Sequence, residues 1–227
     1  MSHYRVAVFS NDPDGFKALL APYSETDTDY FTFVPLEEDK IEWLKDFHAK
    51  HCPEIPYEEF LTHEGYINSP EDGALGFMAN PDAKWDWYTL DGGDWQFERL
   101  RNAGEDGRKN DFLYTEHGYS ERSSRKTYNR MLTIVETGED PFGTIPKEDA
   151  EQFLEDYPDE ETYQLAKKWN YPYAFITPDG KWHAPGTVGW FAISDDTPES
   201  LKRYIKEWAE YVSSDENPYV NFVDCHI

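Results

Sequence analysis

Three stretches of this 227-residue chain carry the side chains that could do chemistry. The block from Asn80 to Trp95, NPDAKWDWYTLDGGDW, offers Trp85, Asp86, Trp87 and Trp95. A second block, YAFITPDGKWHAPGTVGWF from Tyr173 to Phe191, offers Trp182, His183 and Trp190, and the chain closes on Asp224, Cys225 and His226. Aromatic walls with a carboxylate or an imidazole to orient a guest are a common design for a small-molecule site. Trp85, Asp86, Trp87, Trp95, Trp182, His183, Trp190, Asp224 and His226 are therefore the candidate ligand-binding residues. The plainer alternative is a pair of hairpins packing their rings together, with Asp86 or His183 accepting a buried indole N–H.

The terminal Asp-Cys-His run places a thiol, a base and a carboxylate side by side. Along a strand, however, neighbours point to opposite faces, which separates Cys225 from both Asp224 and His226. Asp224 and His226 share a face and could meet His183 or Asp86, giving a general acid–base pair for hydrolysis. His48, His51 and Cys52 lie within reach of one another on a helix, with His63 or Glu59 as additions. Zinc needs three or four ligands and this spacing assures two at most, so no metal is expected. Nor is a cofactor expected, because there is no phosphate-cradling glycine loop, nucleophile-elbow serine or dinucleotide fingerprint.

The elements that must position these residues read as follows. Tyr4–Ser10 is a β-forming run, and Asp12 with Pro13 starts a short helix carrying Phe16, Leu19 and Leu20. YFTFV at 30–34 is a second strand, and Ile41, Trp43, Leu44 and Phe47 fit helical spacing through 39–51, followed by a shorter helix in PYEEFLTHEGY. Residues 36–69 thus read as a helical insertion. Trp85, Trp87 and 88–90 alternate as a half-buried strand, with Asp91-Gly92-Gly93 as its turn. Arg99 to Arg130 holds the basic concentration, read as a charged loop leading into an element near 126–135. Pro146 and Asp159 start a helical pair at 146–169, the Pro178-Asp179-Gly180 turn joins 173–177 to 181–183, and 188–193 is a further strand. Thr197-Pro198-Glu199 starts a helix with Leu201, Tyr204, Ile205, Trp208 and Val212 on one stripe, ahead of a buried strand in PYVNFVDCHI. The order predicts a single α+β domain over 1–227, a mainly antiparallel sheet with helices on one face and a ferredoxin-like core. In that arrangement Trp85 and Trp182 meet as neighbouring hairpins.

Composition bounds the partners. With 46 acidic against 21 basic residues, a formal charge of -25 opposes a free nucleic acid or an anionic membrane and suits a basic surface. The 17% aromatic content supplies burial that the sparse aliphatic residues do not. Two cysteines are too few for a disulfide framework, and MSHYRVAVFS lacks the basic and apolar regions of a signal peptide, so a cytoplasmic protein is expected.

Three blocks in order, KWDWY followed by GG and Trp, PDGKWHAPG followed by GW, and the terminal VDCHI, resemble a group of bacteriophage and prophage proteins. That group commonly has GGRW in the central block, where this chain has Asp94 at the arginine position. The resemblance implies a phage or mobile-element setting and carries no activity. Two expectations follow. The first is an acidic accessory protein that binds a basic host protein, as an inhibitor of a host defence nuclease would by occupying its nucleic-acid-binding surface. The second is a small-ligand-binding protein or hydrolase built on the Trp, Asp and His blocks.

Overall fold

A computed structural model describes residues 3–90, 119–169, 171–188 and 194–227. In chain order its elements are β1 (His3–Ser10), α1 (Phe16–Leu20), β2 (Thr32–Pro35), α2 (Glu38–His51), α3 (Tyr57–His63), β3 (Ile67–Asn68), β4 (Leu75–Ala79) and β5 (Trp87–Leu90). Then follow α4 (Glu121–Thr137), α5 (Lys147–Asp156), α6 (Glu160–Trp169), β6 (Ala174–Ile176), β7 (Trp182–His183), α7 (Pro198–Ser213) and β8 (Tyr219–His226). The fold is α+β. It divides into two units, one formed by the chain up to Leu20 with Trp85 onward, the other by Ala21–Lys84.

The first unit is organised by β1 and β8, which pair antiparallel along their whole length, from His3 opposite His226 to Ser10 opposite Tyr219. Both are rich in β-branched and aromatic residues, and both are buried on their two faces. The sheet runs β5-β8-β1-β6-β7, with β1 and β6 parallel and the other pairs antiparallel. Its β8-β1-β6-β7 part has the spatial order and orientations of a ferredoxin-like sheet, except that the outer strand β7 follows β6 in sequence, through the tight turn at Gly180 (φ 85°), where a ferredoxin-like chain places it before.

Helix α7 covers one face. Thr197 and Ser200 cap its start reciprocally with Pro198 in the first turn, and its stripe packs Tyr204, Trp208 and Val212 on Ala7, Phe9, Phe175, Val220 and Phe222. Ile205 is also fully buried, whereas Leu201, expected in this contact, is half-buried. On the opposite face, Phe16 of α1 meets Tyr88 edge-on at 6.4 Å. Helices α5 and α6 both pack on α4, with Ala150 against Met131 and Ile134, and touch each other through Phe153 and Tyr163 (4.8 Å). Asp159 caps α6 as expected, accepting from the Thr162 amide at 2.7 Å.

The second unit has its own three-stranded antiparallel sheet, β2-β4-β3, and a small core of Leu44, Phe60 and Leu61. The 36–69 segment read as a helical insertion holds α2 and α3, and here these helices belong with β2, β3 and β4. Strand β4, LGFMA, was not anticipated from sequence. Its Gly76 lies so close to β2 that a Cβ there would stand 2.3 Å from the Val34 carbonyl oxygen, so the residue that weakens the strand signal is the one the pairing needs. Asn80 is buried, and its amide donates to the carbonyls of Pro22 and Ser24 (2.8 and 2.9 Å).

Candidate functional site

Alternation along β8 places Val220, Phe222, Asp224 and His226 on one face, beginning under α7 and ending in polar residues. The flanking strands continue that polar end in register. Trp87 and His3 stand on either side of His226, and Thr89 and Arg5 on either side of Asp224. The Asp86 amide donates to the His226 carbonyl (2.9 Å), and this fixes the carboxylate at His226 Nδ1, 2.8 Å away. Trp87 stacks on the His226 ring (centroids 4.6 Å apart, 22° between planes), and His3 stands edge-on to it at 4.9 Å. His3 Nδ1 lies 3.2 Å from Asp224 Oδ2. Two imidazole–carboxylate pairs therefore lie side by side, with the Asp224 and His226 side chains only 1% and 4% exposed. Among the described residues neither Asp224 Oδ1 nor His226 Nε2 nor Thr89 Oγ1 has a hydrogen-bond partner, although all three atoms are buried.

Of the residues proposed from sequence, Asp86, Trp87, Asp224 and His226 come together here. Cys225 points to the other face, beside Tyr4 and Tyr88, and burial pushes its thiol well above the usual range, helped by the charges of Asp224 and Asp86. It is an inert thiol, and an adjacent Cys–His dyad is absent for the reason the alternation gave. Trp85 is buried edge-on against Tyr88 at 5.1 Å, because the chain bends at Asp86 and breaks the alternation that would have put it beside Trp87.

The expected meeting of the two tryptophan blocks does not occur. Strands β5 and β7 are the two edges of the five-stranded sheet, so Trp85 and Trp182 are about four strand spacings, roughly 19 Å, apart. His183 is likewise removed from Asp224 and His226. Its ring lies flat on Phe175 (4.4 Å, 2°), with Nδ1 3.2 Å from Glu207. Trp95 and Trp190 lie outside the described residues, as do the 91–93 turn and most of the 188–193 strand.

A second arrangement lies on α2. Acidic Glu38 and Asp39 in its first turn and His48, Lys50 and His51 in its last match the helix dipole, and Leu44 turns inward to Phe60 and Leu61. On the outer side Trp43 is 51% exposed. Lys40 Nζ sits 4.1 Å from its ring centroid, Phe47 stacks on it at 5.2 Å, and His51 follows Phe47 at 4.7 Å. Together with Asp39, Glu42, Lys45, Asp46 and Lys50 these rings line a shallow groove of about 640 Å³, in which Lys50 Nζ lies 3.2 Å from Asp46 Oδ2. The surrounding unit, residues 21–84, carries 15 acidic and four basic residues, a net -11 of the chain's -25. His48 is not placed as a metal ligand, since its Nε2 is 2.6 Å from the Ile55 carbonyl oxygen, and among the described residues no group of three or more His, Cys, Asp or Glu is arranged to hold a metal.

Sequence reasoning missed His3, Thr89 and Trp43 as functional candidates. For the first two the only signal was strand register, and for Trp43 it was the run of carboxylates at 37, 38, 39, 42 and 46 beside a tryptophan on a helix with a narrow apolar stripe. No protein-family model, no curated protein and no solved structure matches this chain.

Proposed function

We propose that the protein is an acidic interaction factor whose α2 surface binds a basic macromolecular partner. In the phage setting that the sequence blocks imply, the partner is a host protein, the place of action is the host cytoplasm, and binding occupies a nucleic-acid-binding surface such as that of a defence nuclease. The observation that carries this reading is Trp43. A half-exposed tryptophan in a groove lined by Asp39, Glu42 and Asp46, with Lys45 and Lys50 beside them, combines the residue type most often found at binding hot spots with carboxylates that can pair a partner's lysine and arginine. Among the described residues no helix is long and apolar enough to cross a membrane.

The test is kinetic. A partner captured from host lysate should associate with a rate that falls steeply between about 50 and 500 mM salt, while dissociation changes much less. The double reversal Asp39→Lys with Asp46→Lys should remove most of the salt dependence, and Glu210→Lys on α7 should leave it nearly intact. If the partner is a nuclease, duplex DNA should compete with this chain for it. A salt-insensitive association rate, or equal losses from the α2 and α7 reversals, would overturn the proposal.

A further inference from the structure

The polar end of the large sheet is a separate matter, because three buried atoms on one face there have no partner among the described residues. Thr89 and Asp224 are direct neighbours across the β5–β8 ladder, and His226 stands two residues further along β8. With its Nδ1 facing the Asp86 carboxylate, the His226 ring in its neutral form carries its proton on that side and leaves Nε2 as an acceptor. Asp224 Oδ1 is an acceptor as well, while its other oxygen is taken by His3. Native proteins rarely leave such groups unsatisfied, since each forfeits its hydration without return. What is missing is therefore a donor.

We infer that this cluster is a binding site for a guanidinium group. Two hydrogen bonds of about 2.9 Å spreading from one small planar group reach acceptors roughly 6 Å apart, close to the ~6.7 Å between alternate side chains of a strand. A guanidinium has donors to spare for Asp224 Oδ1 and His226 Nε2, and a third N–H for the oxygen of Thr89. Two carboxylates, Asp86 and Asp224, favour a cation over a neutral donor. Arg5, the cross-strand neighbour of Asp224, directs its own guanidinium to the Tyr171 carbonyl (2.8 Å) and over the Phe222 ring (6.0 Å). Trp87, stacked on His226 and 42% exposed, is the side chain that must turn aside to admit the guest and can then face it as a cation–π partner.

The experiment is a titration of the full chain, with histidine nitrogens labelled, followed in long-range proton–nitrogen spectra. Millimolar methylguanidinium should shift the Nε2 resonance of His226 saturably, and methylurea, its neutral counterpart, should bind at least about tenfold more weakly. Asp224→Asn should cost methylguanidinium a similar factor, and the near-isosteric Thr89→Val a several-fold loss, which keeps the test alive if the asparagine variant folds poorly. N-acetylarginine amide separates the two sources of the group: equal binding assigns the site to an arginine side chain of a partner, and binding of methylguanidinium alone assigns it to a free small compound. No saturable shift, a shift that sodium chloride reproduces at equal ionic strength, or equal affinity for methylurea would mean that ordered water alone fills the gap and would overturn the inference.

Discussion

Trp208 and Trp43 are the same residue put to opposite uses. Trp208 is fully buried in the large unit, touching Phe9 and Phe175 at 5.9 and 5.4 Å between ring centroids, and its indole N–H donates to the Trp169 carbonyl at 3.2 Å. Trp43, in the 21–84 unit, stands half in solvent over Phe47 while the core beneath it is left to Leu44, Phe60 and Leu61. In the first unit every large ring along the α7 stripe is spent on cohesion. The second, smaller unit leaves its one tryptophan out of the core, and the proposed binding role is the use that such an exposed ring would have. The contrast separates a scaffold from a surface.

Substitutions test that contrast, beginning where the effect is largest. Trp208→Ala should lower the unfolding free energy by about 3–5 kcal/mol, read by denaturant melts; a loss below about 1 kcal/mol would break the comparison from the side of the core. Trp43→Ala should leave stability within roughly 0.5 kcal/mol yet weaken partner binding by about 2 kcal/mol, close to 30-fold. If it instead destabilised the fold, the exposed ring would be structural and the surface reading would fail.

A smaller effect comes from the charges that tie the scaffold together. Burial pushes the Asp159 carboxyl up, but the Lys202 ammonium and the Thr162 amide outweigh it and pull it down to about 2. Because the folded value lies below the ordinary one of about 3.9, the stabilisation is complete above that pH and is lost as pH falls toward 2. Asp159→Asn keeps the helix cap and removes the charge. Its deficit relative to the parent chain, below about 1 kcal/mol for so exposed a pair, should shrink between about pH 5 and pH 2. The smallest expected effect is a null one. Trp85→Ala and Trp182→Ala, on opposite edges of the sheet, should add within about 0.3–0.5 kcal/mol, and a larger coupling would mean that the edges communicate.

Local rules carried much of the fold and part of the site. Thr197-Pro198 announced α7 and Asp159 announced α6 because capping is written within three residues. Alternation in β8 was enough to put Asp224 with His226 and away from Cys225, and the Asp86–His226 pair was among the contacts it allowed. What remained hidden depends on pairing between distant strands. Nothing in the periodicity of either tryptophan block says that β5 and β7 occupy opposite edges, and nothing near His3 says that it faces residue 226. The second sheet escaped for a different reason, since Gly76 erases the β-forming signal in the middle of β4.

The pairing of β1 with β8 also sets the order of events in making the molecule. His3 and Asp224 are separated by 221 residues, so the central ladder of the large sheet is among the least local contacts the chain can form. Loop closure of that length is an entropic debt met before any reward, and sheets built this way assemble slowly. On the ribosome β1 must wait, its two apolar faces uncovered, until β8 is synthesised, and it is in this interval that the chain is most exposed to aggregation and to chaperones. The Ala21–Lys84 unit has no such dependence, since its strands and helices pair within itself. The Ala21–Lys84 unit can therefore form before the large sheet closes, and the cluster at His3 and His226 exists only after β8 has been made.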